Sequence, residues 1–362
     1  METLGFYYGT VVMLFGSVLF FYTKWVTVKM LPFDNKSEFQ VVIDMPEGTT
    51  LERTYVVTQE IAQYLSQQEL VKNYQGYVGT ASPISFNGLM RHYDLRSGEN
   101  VADIQVNLVD KKERDIQSHE IVKQLRPAVQ AIARKHGANV KMVEIPPGPP
   151  VLSTIVAEIY GPDYNEQIKV ASQLKELVGK TQGVVDVDWM TESDQAEYRF
   201  EVDKDKAMRF GVAPAQISAI ISSALSNMPV GILHDSVSFD PVNIVLQLKD
   251  SDKGSINEMK NLKVLNQQGN PIQIGDLVQV TKIIKDKTIY RKNQKRVVLV
   301  LADLAGRLEG PFYAMMDISG KLKSIKLPKG YELKEMYNGQ PEFEGDYTLK
   351  WDGVADHLRN VS

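Results

Sequence analysis

The sequence predicts an α+β protein preceded by a single membrane-spanning helix. Three observations carry that reading: an uncharged N-terminal run of 20 residues, a β-α-β-β-α-β order that occurs twice, and a proline-rich joint between the two occurrences. The run is Leu4 to Thr23 (LGFYYGTVVMLFGSVLFFYT). At about 1.5 Å per residue it matches a hydrocarbon core of about 30 Å. Tyr7, Tyr8, Tyr22 and Trp25 lie at its ends, where amphipathic rings favour the membrane interface, and Lys24 and Lys29 can reach the headgroups. The expected helix covers residues 4–28. A cleaved signal peptide is the plainer alternative. It fits less well, because Glu2 and no base precede the run and bulky residues follow it in place of a small-residue cleavage site. The positive charges come after the helix, so the positive-inside rule alone would leave the remaining chain in the cytoplasm.

Beyond Lys29 no apolar run approaches spanning length, and strands alternate with amphipathic helices. Glu38 to Asp44 alternates in the strand period, Pro46-Glu47-Gly48 turns the chain, and Thr50 can cap a helix bearing Leu51, Val57, Ile61 and Leu65. Leu70 to Val78 reads as a strand. Val101 to Val109 places Ala102, Ile104, Val106 and Leu108 on one face, Ser118 to His136 is helical, and Asn139 to Ile145 is a final strand. This order is the split βαβ, or ferredoxin-like, module. Pro146-Pro147-Gly148-Pro149-Pro150 then fixes an extended connector. The order recurs in Ser153 to Tyr160 (strand), Asn165 to Val178 (helix), Val184 to Met190 (strand), Arg296 to Leu301 (strand), Phe312 to Leu322 (helix) and Gly330 to Met336 (strand). An insertion between Asp194 and Ile289 splits this second module. It has a strand at Glu197 to Val202, a helix from Pro214, strands at Ile244 to Leu248 and Leu262 to Leu265, and a hairpin signal at Gln267-Gln268-Gly269-Asn270.

Composition removes several functions. With 362 residues, 43% of them hydrophobic, the chain can hold two or three packed domains. Its 41 basic and 45 acidic residues are spread along the chain, so nucleic acid is not an expected partner. The absence of cysteine excludes disulfides, thiolate nucleophiles and cysteine-ligated zinc. His92, His119, His136, His234 and His357 show no paired-ligand spacing, and no GxSxG, HExxH or phosphate-loop pattern occurs. Asp186 and Asp188 share a strand face with no acid or base partner in view, as solvated strand ends commonly do. Neither an enzyme nor a cofactor is expected.

The order of elements resembles the second periplasmic loop of resistance-nodulation-division (RND) efflux permeases, of the acriflavine-resistance type, with the transmembrane helix before it. Local wording agrees: Leu31-Pro32-Phe33-Asp34 after the helix, the turn Pro46-Glu47-Gly48-Thr49-Thr50, Val202-Asp203 with Ala207-Met208-Arg209-Phe210-Gly211-Val212 into the insertion, and Tyr290-Arg291-Lys292-Asn293-Gln294 out of it. The resemblance implies a first porter subdomain at 38–150, a second at 151–193 with 290–345, a docking or funnel subdomain at 194–289, and a truncated tail at 346–362. It also implies a homotrimer in a bacterial inner membrane, with the large domain in the periplasm, coupled to a periplasmic adaptor and an outer-membrane channel and carrying small amphiphilic substrates. The family's proton relay lies on other helices, and the Leu4 to Thr23 run has no ionisable side chain except tyrosine, so this chain is not expected to pump alone. In an intact pump earlier helices set the orientation, which removes the conflict with the positive-inside rule. The alternative is a stand-alone, membrane-anchored periplasmic binding or scaffold protein.

For substrate contact the candidates lie in Gly76 to Gly88 (GYVGTASPISFNG), where three glycines and a proline interrupt the strand pattern. The resemblance makes this the loop between substrate pockets, with Tyr77, Pro83, Phe86 and Met90 on the substrate path; a plain surface loop is the alternative. Soft-metal exporters of the superfamily use three methionines near this cleft. The matching positions are Met45, Val101 and Val151, so one thioether remains and a metal site is not expected.

Overall fold

The computed structural model describes residues 8–17, 34–83, 86–145, 151–226, 228–306, 310–342 and 345–353. Residues 8–17 are helical; the rest of the expected span 4–28, the proline-rich joint at 146–150 and the end of the chain from 354 lie outside the described residues. No helix among the described residues is long and apolar enough to cross a membrane. The chain divides into two compact units, Asp194–Asp286 and the residues on either side of it.

The first half of the larger unit runs β1 (Glu38–Asp44), α1 (Leu51–Ser66), β2 (Val71–Thr80), β3 (Ser97–Leu108), α2 (Ser118–His136), β4 (Asn139–Val143). Its antiparallel sheet has the order β2-β3-β1-β4. Strand alternation decides what each face does. Phe39, Val41, Ile43, Ala102, Ile104, Val106, Val140 and Met142 join Val57, Ile61, Leu65, Ile121, Leu125 and Val129 of the two helices in one core. The opposite face carries Gln40, Asp103 and Lys141, which are also buried. Thr50 occupies the N-cap position of α1 but makes no side-chain cap; Thr49 instead bonds back to the Pro46 carbonyl at 2.6 Å.

The expected loop Gly76 to Gly88 requires correction. β2 continues through Gly76, Tyr77 and Val78, paired with Ile104, Asp103 and Ala102, and ends at Thr80 after a register shift. Gly79 makes this possible: its φ is +80°, and a Cβ there would lie 2.8 Å from Leu51 Cδ1. A short helix, Phe86–Arg91, follows.

The second half contains β5 (Ile155–Tyr160), α3 (Tyr164–Gly179), β6 (Val184–Trp189), β7 (Val298–Leu304), α4 (Pro311–Ser319), β8 (Leu333–Met336) and β9 (Tyr347–Gly353), in the sheet order β8-β9-β5-β7-β6. β9 corrects the expectation of a tail from 346. It lies between β8 and β5, parallel to the former and antiparallel to the latter. Tyr347, Leu349 and Trp351 alternate in the strand period and enter the core beside Ile159, Leu174 and Val298. That burial, more than local propensity, makes the segment a strand.

In the smaller unit Ala196–Val202 pairs antiparallel with Val278–Ile284. Ala207, Val212, Ile217, Val264, Ile274 and Leu277 form a small core. A hairpin of Met228–Leu233 with Val242–Leu246 is exposed along both strands.

Candidate functional site: a charged seam under a strap

The two halves of the larger unit meet at β4 and β6, edge strands of their respective sheets. An edge strand presents unpaired N–H groups, and here a carboxylate takes one of them: Met142 N–H donates to Asp186 Oδ2 at 3.2 Å. The register of β6 against β7 shifts between Leu301 and Asp303, and Asp186 sits in the shifted stretch with φ +52°. Its other oxygen pairs closely with Arg126 of α2. Two residues on, Asp188 accepts from Lys141 and from Asn139 Nδ2, the latter at 3.2 Å. Lys141 also reaches Asp44 at 2.8 Å.

Residues 81–83 and 86–96 lie over the polar face of the first sheet, the described parts of a strap. Near its start, Ser82 N–H donates to Asp103 Oδ2 at 2.8 Å, and Gln40 donates to both Ser82 Oγ and Asp103 at 3.0 Å. At its end, Arg96 donates to Asp103 Oδ1 at 2.6 Å and to the Ile43 carbonyl at 2.8 Å, and pairs with Asp44. The Tyr93 ring lies 5.6 Å from Lys141 Nζ and 5.9 Å from the Arg96 guanidinium. The middle of the strap reaches the other half, where Arg91 donates to Asp303 of β7 at 2.6 and 3.5 Å. Asp303 Oδ1 also receives Ser153 Oγ at 3.0 Å and the Thr154 N–H and hydroxyl at 2.9 Å.

The charges across the seam are segregated. Arg91, Arg126 and Lys141 come from the first half and Asp303, Asp186 and Asp188 from the second. Burial opposes ionisation of Asp44, but Lys141 and Arg96 outweigh it and hold the carboxyl at about 2. Asp303 is likewise held well below the usual carboxylate range by Arg91 and Thr154 against its burial. At Asp186 burial wins and raises the carboxyl, with Arg126 offsetting only part. Arg91, Arg126 and Glu144 face a cavity of about 20 Å³, and among the described residues their Nε, Nε and Oε1 atoms, respectively, find no hydrogen-bond partner.

Of the residues expected on a substrate path, Pro83, Phe86 and Met90 lie on the strap, Pro83 exposed and Met90 half-buried. Tyr77 is opposite Asp103 in the ladder and so shares its face; the Tyr77 hydroxyl donates to Gln75 Oε1 at 2.9 Å. Met45 belongs to the first core and its N–H donates to the Asn100 carbonyl at 2.8 Å; Val101 and Val151 are buried. Among the described residues no group of three or more histidines and carboxylates is placed to hold a metal ion. The seam residues Arg91, Lys141 and Asp303 were not singled out by sequence. The Asp186 and Asp188 pair was noticed, but as a solvated strand end.

Residues 3–344 match the model of the AcrB/AcrD/AcrF family. The chain belongs to that family. These are the RND permeases the sequence resembles. Within the AcrB/AcrD/AcrF frame, the chain is 22% identical to the swarming motility protein SwrC of Bacillus subtilis over 82% of this chain and 26% of the relative. It is 26% identical to the nickel and cobalt resistance protein CnrA of Cupriavidus metallidurans over 50% of this chain and 17% of the relative. It is 21% identical to protein HelA of Legionella pneumophila over 87% of this chain and 28% of the relative. The chain thus spans less than a third of the length of these curated relatives. A crystal structure of a heavy metal efflux pump superposes on it with a TM-score of 0.73 at 17% identity, covering 99% of this chain and 34% of that chain. The likeness establishes a shared mixed α/β fold.

Proposed function

We propose that this chain is part of an inner-membrane, proton-driven efflux permease and forms its periplasmic porter and docking region. The observation that carries the reading is the strap over the seam: a segment bearing Pro83, Phe86 and Met90 spans the joint between two α/β halves. On this reading the halves are ferredoxin-like porter subdomains flanking the substrate path, and Asp194–Asp286 lies within the docking subdomain at 194–289. Tyr77, Pro83, Phe86 and Met90 contact small amphiphilic substrates, because aromatic and thioether groups adapt to varied apolar shapes. The working assembly is a homotrimer joined to a periplasmic adaptor and an outer-membrane channel, with the proton relay on other helices of the permease. No residue acts as a catalyst of covalent chemistry.

A second reading, heavy-metal cargo, is favoured by the names of CnrA and the heavy metal efflux pump. Against it, Met45 is the one thioether at the three positions considered, and it packs in a core. The test is export by a complete permease carrying this region in an efflux-deficient host. Amphiphilic dye export should fall on Phe86→Ala with Met90→Ala, with nickel and cobalt tolerance unchanged. Metal tolerance without dye export would replace the first reading with the second. A periplasmic domain that supports neither would favour a stand-alone binding or scaffold protein.

A further inference from the structure

We propose that Arg91 is a positioning residue, docking the helix Phe86–Arg91 on the second half of the unit through Asp303 and so fixing where Met90 stands over the seam. The inference deepens the porter reading and rests on it for its consequence in transport, but its structural part stands alone. Both ends of the strap are bound to the first half, by Ser82 and by Arg96 on Asp103. Arg91 is the point at which the strap's polar contacts described above cross to the second half. Two features suit it to that task.

The first is geometry. Arg91 is 6% exposed and directs two guanidinium nitrogens at the two oxygens of one carboxylate, which fixes direction as well as distance. A lysine would keep the charge and lose the fork. The second is that Asp303 has a socket of its own. Ser153 Oγ and the Thr154 N–H and hydroxyl hold Oδ1, so the carboxyl group keeps its place when Arg91 withdraws. The pair can therefore open and close without rebuilding β7. It would behave as a docking post, whereas Lys141, shared between Asp44 and Asp188, keeps a partner in its own half whether the seam is open or shut.

The test uses the absence of cysteine from the chain, which makes Met90→Cys the sole thiol. Maleimide labelling at position 90 should be slow with Arg91 present and at least about tenfold faster with Arg91→Gln, since a hydrogen bond between charged groups contributes about 1.5–3 kcal/mol. Arg91→Lys should fall between. Asp303→Asn should speed labelling in the same direction as Arg91→Gln, and Ser153→Ala should leave it slow. If Arg91→Gln disturbs the fold, seen as lost hydrogen-exchange protection in β3, Arg91→Lys takes its place with a criterion of threefold. Labelling within twofold of the starting rate in a folded variant overturns the proposal. In the complete permease, Arg91→Gln should raise the half-saturating dye concentration more than it lowers the maximal rate, with partial recovery in Arg91→Lys. Faster labelling with unaltered export would support the positioning role and overturn the porter reading.

Discussion

The two sheets of the larger unit both bury polar groups on the face opposite their helices, yet they close that face differently. In the first sheet Asp44, Asp103, Gln40 and Lys141 are completed by outsiders: the strap supplies Ser82 and Arg96, and the other half supplies Asp188. In the second sheet Asp186, Asp188 and Asp303 likewise meet Arg126, Lys141 and Arg91 of the first half, but the network around Glu158 is drawn from the second half alone. Glu158 on β5 is fully buried and is met by Tyr160 at 2.8 Å, by Lys350 of β9 at 3.5 Å and by Lys292, which also holds Asp352. Burial and a hydrogen bond shared with Asp352 raise the Glu158 carboxyl, and Asp352, against its own burial, is held well below the usual range by that bond and Lys292. The first sheet's polar face thus takes its partners from the strap and the other half, whereas the network around Glu158 takes them from its own half. On the porter reading proposed above, the first arrangement suits a surface that parts and the second a frame that does not.

Four measurements sharpen or break this contrast. The largest effect should come from the frame. Trp351→Ala removes a side chain that is 1% exposed in the core of the second half and should cost about 4 kcal/mol in urea unfolding. A loss below about 1 kcal/mol would mean that β9 is not integral to that sheet. Next, Glu158→Ala leaves Lys350 and Lys292 to share Asp352 alone and should cost about 3 kcal/mol. If it costs less than Asp103→Ala on the other sheet, the network drawn from one half is not the stiffer one.

The third measurement is pH dependence at the seam. The folded carboxyl of Asp44 is depressed to about 2, so its contribution is present above the ordinary aspartate value of about 3.9 and fades as pH falls toward 2. Asp44→Asn should therefore lower the melting temperature near neutral pH and lose its effect near pH 2. An effect of equal size at both pH values would remove the ion pairs from the account. The smallest change is expected at Asp186, whose folded carboxyl is raised. A raised group contributes most below its unfolded pKa, and that contribution is lost as pH rises, so its charge is a burden at neutral pH. Asp186→Asn keeps an acceptor for Arg126 and should cost under about 1 kcal/mol at pH 7. A loss comparable to that of Asp44→Asn would show that Arg126 outweighs the burial.

How much of this was legible beforehand follows from the range of each interaction. Phe39, Val41 and Ile43, or Ala102 and Ile104, advertise their strands because burial repeats every second residue. The same signal was present in Tyr347, Leu349 and Trp351 and was missed, because the strand that gives them a core is separated from them by most of the second half. Gly76 and Gly79 read as loop by composition, although one is paired in a ladder and the other forms a bulge that Leu51 covers. The strap residues Pro83, Phe86 and Met90 drew notice through a local break in pattern. Arg91 could not, since Asp303, which gives it meaning, is 212 positions away.

The manner in which Asp194–Asp286 is attached bears on whether it can be removed. Its first and last strands pair with Ala196 opposite Ile284, so the segment leaves and returns at points about 5 Å apart. On the host side of that gap, Thr288 Oγ1 donates to Glu192 Oε1 at 2.7 Å, tying the two stubs directly to each other. A two-residue turn could close the host after excision. A segment attached in this way is a cassette: excising it and closing the stubs should leave the two sheets of the host folded.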